Sequence, residues 1–311
     1  MMSRPVSSDV IGIVVSYHPD LDLLEELLDA LMPQVSSVVI IDNGSCVDLH
    51  AWSKLRNDGR LKIIRLESNH GVAAAQNVGI KWAREQGSRY VVLFDQDSVP
   101  DPSMVMQLHS VAESKAKAGY SVAGVGPRYY DDRQNNPPPF IQVHGLRLKR
   151  QSCVSPDSVV QVDYLIASGC LIPLATLDAV GAMQEDLFID YVDIEWGLRA
   201  KYLGFQSFGS CSATMRHSLG EMPIEFFGRM LPLHSPLRHY YHFRNAVWLY
   251  RQNWIPNHWK YADGWRLLLK YGFYSLFAKH RLHQLIMMTR GVMDGMRGRM
   301  GPAILDSAGG A

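Results

Sequence analysis

The sequence has no apolar stretch approaching the roughly 20 residues that a membrane-spanning helix needs, so it predicts a chain that is not integral to a bilayer. Its opening lacks the basic-then-apolar pattern of a secretory signal. Charge of one sign is missing as well. The net is +1 over 311 residues, which removes the electrostatic case for nucleic acid as a partner. Cysteine is scarce: Cys46, Cys153, Cys170 and Cys211 lie far apart without metal-ligand spacing, and read as reduced thiols of a cytoplasmic protein. No internal repeat is present. What remains is an ordinary globular composition, 47% hydrophobic and 20% charged, in a chain long enough for one large domain or two smaller ones.

The apolar runs at 10–15, 38–41 and 91–94 are short and rich in β-branched residues, as strands buried on both faces of a parallel sheet are, and 61–65 reads as a further strand. Helical patterns separate them. Asp20 predicts a cap for a helix whose Leu21, Leu24, Leu27, Leu28 and Leu31 form one stripe up to Pro33. Asn69-His70-Gly71 leads into an alanine-rich helix through Asn77 and Trp82 that stops near Gly87. This alternation predicts βαβ units. Further on, a helix is expected over 104–118, strands at 122–125, 159–162, 168–172 and around His217, and a helix from Asp193 to about Leu203 closed by Gly204. Residues 135–139 read as a proline-rich loop, and the last few, ending at Ala311, as a disordered tail.

In open α/β sheets, ligands bind beyond the carboxyl ends of the strands. Four carboxylates are expected along that edge: Asp42 after the second strand, Asp95 and Asp97 after the strand at 91–94, and Asp193 at a helix start. Two hard oxygen ligands separated by one residue can hold a divalent cation that neutralises a diphosphate. Asp42 either accepts a hydrogen bond from a nucleobase or is a turn aspartate. Asp193, near a helix N-terminus, is expected to stay ionised as a general base must. Glu195 is a second acid or a helix partner, and His217 is a metal ligand or a structural histidine.

Asp42-Asn43-Gly44-Ser45, Asn69-His70-Gly71-Val72-Ala73 with Gln76-Asn77 and Gly79, Asp95-Gln96-Asp97-Ser98, and Val192-Asp193-Ile194-Glu195 with Arg199 resemble family 2 glycosyltransferases over about residues 10–220. Phe188-Ile189-Asp190-Tyr191-Val192-Asp193, Glu195-Trp196, His217-Ser218-Leu219-Gly220 and Ser235-Pro236-Leu237-Arg238 with Tyr240-Tyr241 and Arg244-Asn245 resemble the bacterial rhamnosyltransferases of that family. The resemblance implies an α/β fold of the GT-A type, a Rossmann-like, mostly parallel sheet flanked by helices. It implies a catalytic domain over 1–235 and a helical C-terminal region over 236–311. It further implies a dTDP-L-rhamnose donor, a Mg²⁺ or Mn²⁺ ion, inversion at the anomeric carbon, and a saccharide or lipid-linked saccharide acceptor. The implied roles are donor binding by Ser16, Asp42, Gln76, Asn77, Asp95 and Gln96, metal binding by Asp95, Asp97 and His217, and catalysis by Asp193 with Glu195 beside it. Many relatives carry Arg where this chain has Gln76, so a charged donor contact is absent or comes from elsewhere.

Other readings differ at identifiable residues. A sugar nucleotidyltransferase resembles its kin in a glycine-rich basic loop after the first strand, where this chain has Ser16-Tyr17-His18-Pro19. A non-catalytic scaffold would be expected to lose Asp97 or Asp193. A UDP-hexose or galactofuranose donor on the same fold remains an alternative. From about Pro236 the composition shifts, with four of seven tryptophans at 248, 254, 259 and 265. Between Gly264 and Gly301 seven basic residues (Arg266, Lys270, Lys279, Arg281, Arg290, Arg297, Arg299) face one acid, Asp294. Basic amphipathic helices with tryptophan predict peripheral contact with the cytoplasmic face of a membrane. Packing against the catalytic domain, or a homo-oligomer interface, is the alternative use of that surface.

Overall fold

A computed structural model describes residues 7–304 apart from 55, 57, 132–139, 146, 218–223, 227–228, 232–234 and 279. The expected loop at 135–139, the terminal tail, Lys279 and the Ser218–Gly220 portion of the histidine motif lie outside the described residues. Strands β1 (Ser7–Ser16), β2 (Val35–Asp42), β3 (Leu61–Arg65) and β4 (Tyr90–Asp95) run parallel in the order β3-β2-β1-β4. The crossovers carry α1 (Leu21–Leu31), α2 (Leu49–Lys54) and α3 (Val72–Glu85). Side chains alternate across the strands, so the sheet divides two cores. Val10, Val14, Val38 and Ile40 meet the leucine stripe of α1, while Ile11, Ile13, Val39 and Ile41 meet Ala73, Ala75 and Ile80 of α3. That double burial is why the strands read as unbroken apolar runs. Asp20 caps α1 as expected, accepting from the N–H groups of Asp22 and Leu23 at 3.0 and 3.4 Å.

Beyond β4 come β5 (Ser98–Pro100), α4 (Met104–Lys117), β6 (Val122–Tyr130), β7 (Phe140–His144), β8 (Arg147–Gln151), β9 (Val159–Val162), β10 (Leu171–Pro173), α5 (Leu174–Val180), α6 (Val192–Tyr202), β11 (Gln206–His217), β12 (Ile224–Phe226) and β13 (Arg229–Leu231). The main sheet continues β4-β10-β6-β11-β5. β10 sits antiparallel between β4 and β6, and β6 pairs parallel with the 12-residue β11. β7 and β8 form a separate hairpin. The α7 (Pro236–Tyr250), α8 (Asn257–Phe277) and α9 (Arg281–Arg297) helices then close the chain. Phe243, Ala246 and Leu249 of α7 and Trp259, Ala262 and Leu267 of α8 are buried in the same core as Ile11, Ile13 and Trp196. The C-terminal helices are therefore packed onto the sheet layer. Among the described residues no helix is long and apolar enough to cross a membrane.

One expectation is corrected. Cys153 and Cys211 are not reduced thiols: they form a disulfide, with Cα atoms 5.7 Å apart and 58 residues of separation. Antiparallel pairing of β9 with β11, extended by the Cys211 N–H donating to Ser158 O at 3.0 Å, folds the segment before β9 back over β11. Widely spaced cysteines carry no local signal of such a meeting. Cys46, exposed, and Cys170, buried, remain free thiols.

Candidate active site

A cleft of about 840 Å³ opens over the carboxyl ends of β1 and β4, with Val15, Tyr17, Asp95, Gln96 and Asp97 on its floor. His217, at the end of β11, closes one side. The loop before α6 brings in Asp190 and Asp193, and α7 and α8 form the far wall through Arg238, His242, Asp263, Arg266 and Lys270. The parallel register explains the floor, since Val15 aligns with Asp95 across the β1–β4 pair.

A buried hydroxyl relay joins Asp95 to His217. The Asp95 N–H donates to Ser168 Oγ at 3.1 Å, Ser168 donates to Ser98 Oγ at 2.7 Å, and Ser98 Oγ lies 2.6 Å from His217 Nδ1. This places His217 Nε2 4.0 Å from Asp95 Oδ2. Withdrawal from bulk water raises the pKa of Asp95, opposed by His217 and reinforced by the Asp97 carboxylate. Among the described residues no three His, Cys, Asp or Glu side chains form a group that could hold a metal ion. Asp95, Asp97 and His217 line the same cleft without closing into such a group, although carboxylate oxygen and imidazole are donors that divalent cations take.

Three expected donor residues share an unusual state. Ser16 Oγ, Asp42 Oδ2 and Gln76 Oε1 are buried without a hydrogen-bond partner, three of only five such side-chain atoms among the described residues. Buried polar atoms are nearly always partnered, so each calls for an explanation; a ligand's donor groups provide one for Gln76, which lines the cleft, whereas Ser16 and Asp42 are fully buried and do not line it. Asp42 is held by the Ser45 N–H on Oδ1 at 2.9 Å, with Arg65 Nε 3.7 Å from Oδ2. Below it, Asn43 braces the turn into α3. Its Nδ2 donates to Asn69 Oδ1 at 3.0 Å, and its Oδ1 accepts from the His70 N–H at 2.9 Å. Gly71 has φ +88°, and a Cβ there would lie 2.5 Å from the Phe188 carbonyl oxygen, so the close approach requires glycine.

Other expected site residues are occupied with structural work. Asn77 donates to Met183 O and Glu185 Oε1 at 2.9 and 2.8 Å and accepts from the Met183 N–H, pinning the 183–185 segment to α3. Gln96 clasps the backbone of Tyr17 through both amide atoms, at 2.8 and 3.3 Å. Glu195 is 1% exposed. It accepts from Arg199 Nε and Nη2 at 2.9 and 3.0 Å and from Trp254 Nε1 at 3.0 Å. Its geometry is that of the helix partner rather than a second acid.

Asp193 opens α6 as expected, and Oδ1 accepts from the Ile194 N–H at 2.8 Å. Its environment differs from a simple helix N-terminus. Burial, with the Asp95 charge adding to it, pushes its pKa up to about 6 against the opposing backbone N–H contacts. The loop before it is held in an uncommon conformation: Phe188, Asp190 and Tyr191 all have φ near +65°, at 64°, 64° and 65°. Buried residues of α7 hold that loop. Asn245 Nδ2 donates to the carbonyls of Leu187, Ile189 and Asp190 at 2.9, 2.7 and 2.9 Å. Arg244 Nη2 donates to those of Asp186 and Leu187 at 3.2 and 3.1 Å. Arg238 Nη2 meets Asp190 Oδ1 at 3.2 Å and its charge is felt by Asp95. In the sequence Asp190, Arg238 and Asp263 carry no separate role, and Arg266 and Lys270 are expected among the basic side chains of a membrane-facing helix; both instead line the cleft. The Ser-Pro-Leu-Arg and Arg-Asn motifs were the available signal for the α7 residues.

Comparison with known proteins agrees with this arrangement. The profile of "Glycosyl transferase family 2" matches residues 13–164. The chain is 32% identical over 253 residues to a "dTDP-rhamnosyl transferase RfbF" of Shigella flexneri, covering 81% of this chain and 83% of the relative. It is 22% identical over 207 residues to a "Low-salt glycan biosynthesis hexosyltransferase Agl10" of Haloferax volcanii, covering 64% of each. In structure it resembles GalNAc-T7, crystallised with UDP, GalNAc and Mn²⁺, with a TM-score of 0.62 and 12% identity over 94% of this chain and 56% of that one. It also resembles S. aureus TarS 1-349 in complex with UDP-GlcNAc, with a TM-score of 0.57 and 17% identity over 92% of this chain and 81% of that one. These structural likenesses show the GT-A fold. With the long match to RfbF and the profile together, the chain belongs to glycosyl transferase family 2.

Proposed function

We propose that this chain is an inverting rhamnosyltransferase that moves L-rhamnose from dTDP-L-rhamnose to a saccharide acceptor in cell-surface polysaccharide synthesis of the O-antigen type. The observation that carries the reading is Asp193, a buried carboxylate with a pKa near 6 that shares one cleft with the strand-end pair Asp95 and Asp97. A general base works best when its pKa lies near the working pH, and direct displacement needs that base opposite the leaving group. Asp193 takes the proton of the acceptor hydroxyl. The Asn245 and Arg244 contacts keep its loop in place while it does so. Gln76 offers its unpartnered oxygen to N–H and O–H groups of the nucleotide sugar. Arg238, steered by Asp190, supplies the cation that Gln76 does not.

Asp95, Asp97 and His217 would hold a Mg²⁺ or Mn²⁺ ion, which when bound neutralises the charge developing on the departing diphosphate. Rhamnose as the donor sugar rests on the likeness to RfbF. The outward faces of α8 and α9 expose Trp265, Leu268, Leu276 and Leu282 among basic side chains, which supports peripheral contact with an anionic membrane surface. The disulfide at Cys153–Cys211 stands against a strongly reducing compartment, so survival of that bond in cell-derived protein bears on the cytoplasmic placement. Incubation with a panel of nucleotide sugars and Mg²⁺, following nucleotide release, tests the function. dTDP-L-rhamnose should be turned over fastest; preference for UDP-glucose or UDP-galactose would refute the donor assignment.

A further inference from the structure

The buried tyrosine just before α6 is held by a carboxylate to which the transfer chemistry gives no part. Tyr191 is the N-cap of α6, two residues before Asp193, and its backbone is left-handed at φ 65°. Its carbonyl accepts a first bond of the helix, from the Glu195 N–H at 2.8 Å. The Asn245 and Arg244 donors end at the Asp190 carbonyl. Beyond that point the hold comes from α8. The Tyr191 hydroxyl donates to Asp263 Oδ2 at 3.1 Å, and the same oxygen accepts from the Tyr250 hydroxyl at 2.6 Å. Trp259, one turn before Asp263 on α8, sets its ring beside both tyrosines, with centroids 6.1 Å from Tyr191 and 6.3 Å from Tyr250. A second neighbour of the Tyr191 hydroxyl is His242 Nε2, at 3.4 Å. Lys270 Nζ lies 3.0 Å from that nitrogen and can only donate, so Nε2 already accepts from the ammonium. The single proton of Tyr191 therefore goes to Asp263. Burial and the Asp263 charge raise the Tyr191 pKa, so its hydroxyl remains a donor.

We infer that Asp263 is a positioning residue: through the Tyr191 hydroxyl it fixes the N-cap of α6, and with it the place of Asp193 in the cleft. The inference rests on Asp193 as the base and adds the residue that aims it. Asp263 acts here without touching a reacting atom. Because it also lines the cleft, direct contact with substrate is the rival role that an experiment must separate. Tyr250 provides the comparison. It bonds the same carboxylate oxygen, yet it ends α7 and does not line the cleft. Loss of either hydroxyl removes one bond from Asp263, but only the loss at Tyr191 frees the start of α6.

The test uses the full chain as Tyr191→Phe, Asp263→Asn, Asp263→Ala and Tyr250→Phe, with Tyr191→Phe guarding against misfolding of the alanine variant. Each is followed by dTDP release from dTDP-L-rhamnose with Mg²⁺ and by amide hydrogen exchange across residues 186–196. Tyr191→Phe and Asp263→Ala should each lower kcat by about tenfold with the donor KM held within about twofold, and should speed exchange in that segment. The Tyr191→Phe/Asp263→Ala double variant should be no slower than Asp263→Ala, because both changes cut one link. Asp263→Asn keeps an acceptor oxygen for Tyr191 and should restore most of the lost kcat. Its acid limb should keep a midpoint near pH 6, because the charges that raise Asp193 are those of Asp95 and Asp190. Tyr250→Phe should stay within about twofold of wild type in kcat and exchange. Wild-type turnover in Tyr191→Phe would overturn the inference, as would losses that add in the double variant. Asp263→Asn as slow as Asp263→Ala beside an active Tyr191→Phe would make Asp263 a group that touches substrate. An equal loss in Tyr250→Phe would reduce Asp263 to a core contact. An active Asp193→Asn would sink the base reading by itself. If the wild type released no dTDP, the donor reading would fall, and faster exchange in Tyr191→Phe but not in Tyr250→Phe would keep the anchor.

Discussion

Asp193→Asn should make the protein more stable and catalytically inert. The folded carboxyl has a pKa near 6 against an ordinary 3.8, raised chiefly by burial. Between those values the folded state holds a proton that the unfolded state has released. The group's favourable contribution is therefore complete below 3.8 and is lost as pH rises through 6. At about 1.36 kcal/mol per pKa unit, the full effect above pH 6 approaches roughly 3 kcal/mol. The carboxylate borders the open cleft, so solvent screening cuts this to about 1–2 kcal/mol. Asparagine carries no charge at any pH and can still accept from the Ile194 N–H. Differential scanning calorimetry at pH 8 should show the variant melting roughly 1.5–3 °C higher than wild type, with the gap closing near pH 4. Turnover should fall by about 10²–10⁴ while donor affinity holds. In the wild type, kcat should drop on the acid side with a midpoint near pH 6, and that limb should be missing from any residual activity of the variant. A variant less stable at pH 8, or a gap independent of pH, would show that Asp193 is not a destabilised buried charge.

Asp97→Asn keeps the shape of a proposed metal ligand but removes its charge, so turnover should fall by orders of magnitude and EDTA should do the same to wild type; full activity of the variant in EDTA would sink the metal assignment. Asn245→Ala leaves the carbonyls of Ile189 and Asp190 without their side-chain donor and that of Leu187 with Arg244 alone, and should cost roughly 2–3 kcal/mol in urea unfolding. It should also lower kcat although residue 245 is fully buried and does not line the cleft. Flotation with anionic liposomes should recover the chain at low salt and less of it at high salt, and equal recovery with neutral liposomes would favour the packed-interface use of α8 and α9.

The parallel half of the sheet was legible because β1, β2 and β4 are buried on both faces and α1 and α3 show a buried apolar face. Asp95, Asp97 and Asp193 followed from strand and helix ends, which sequence marks well. Other features depend on contacts between distant segments. β10 enters antiparallel between β4 and β6, and its three residues say nothing about direction. The β7–β8 hairpin is short and half polar, and the disulfide joins residues 58 apart. Asn77, Gln96 and Glu195 lie within the motifs that carry the resemblance, yet their side chains are spent on Met183, Tyr17 and Arg199. A motif therefore fixes where a residue sits, while its partners decide whether it faces substrate.

The loop 186–193 joins these observations. It must carry Asp190 and Asp193 into the cleft, and it does so with three non-glycine residues at positive φ, each costing on the order of 1–3 kcal/mol. Within the loop the Ile189 N–H donates to Leu187 O at 2.7 Å. The compensation comes from α7, more than 50 residues later, where Arg244 and Asn245 are fully buried and spend side-chain donors on the loop's carbonyls. Arg244 is itself braced by the Tyr240 and Tyr241 rings at 5.5 and 4.8 Å and reaches Gly301 O beyond α9. The C-terminal helices thus do two things at once. Their inner side holds the Asp193 loop in position, and their outer side presents tryptophan, leucine and arginine to the surroundings. A contact made on the outer face has a short, packed route to Asp193, through α7 and the loop it holds.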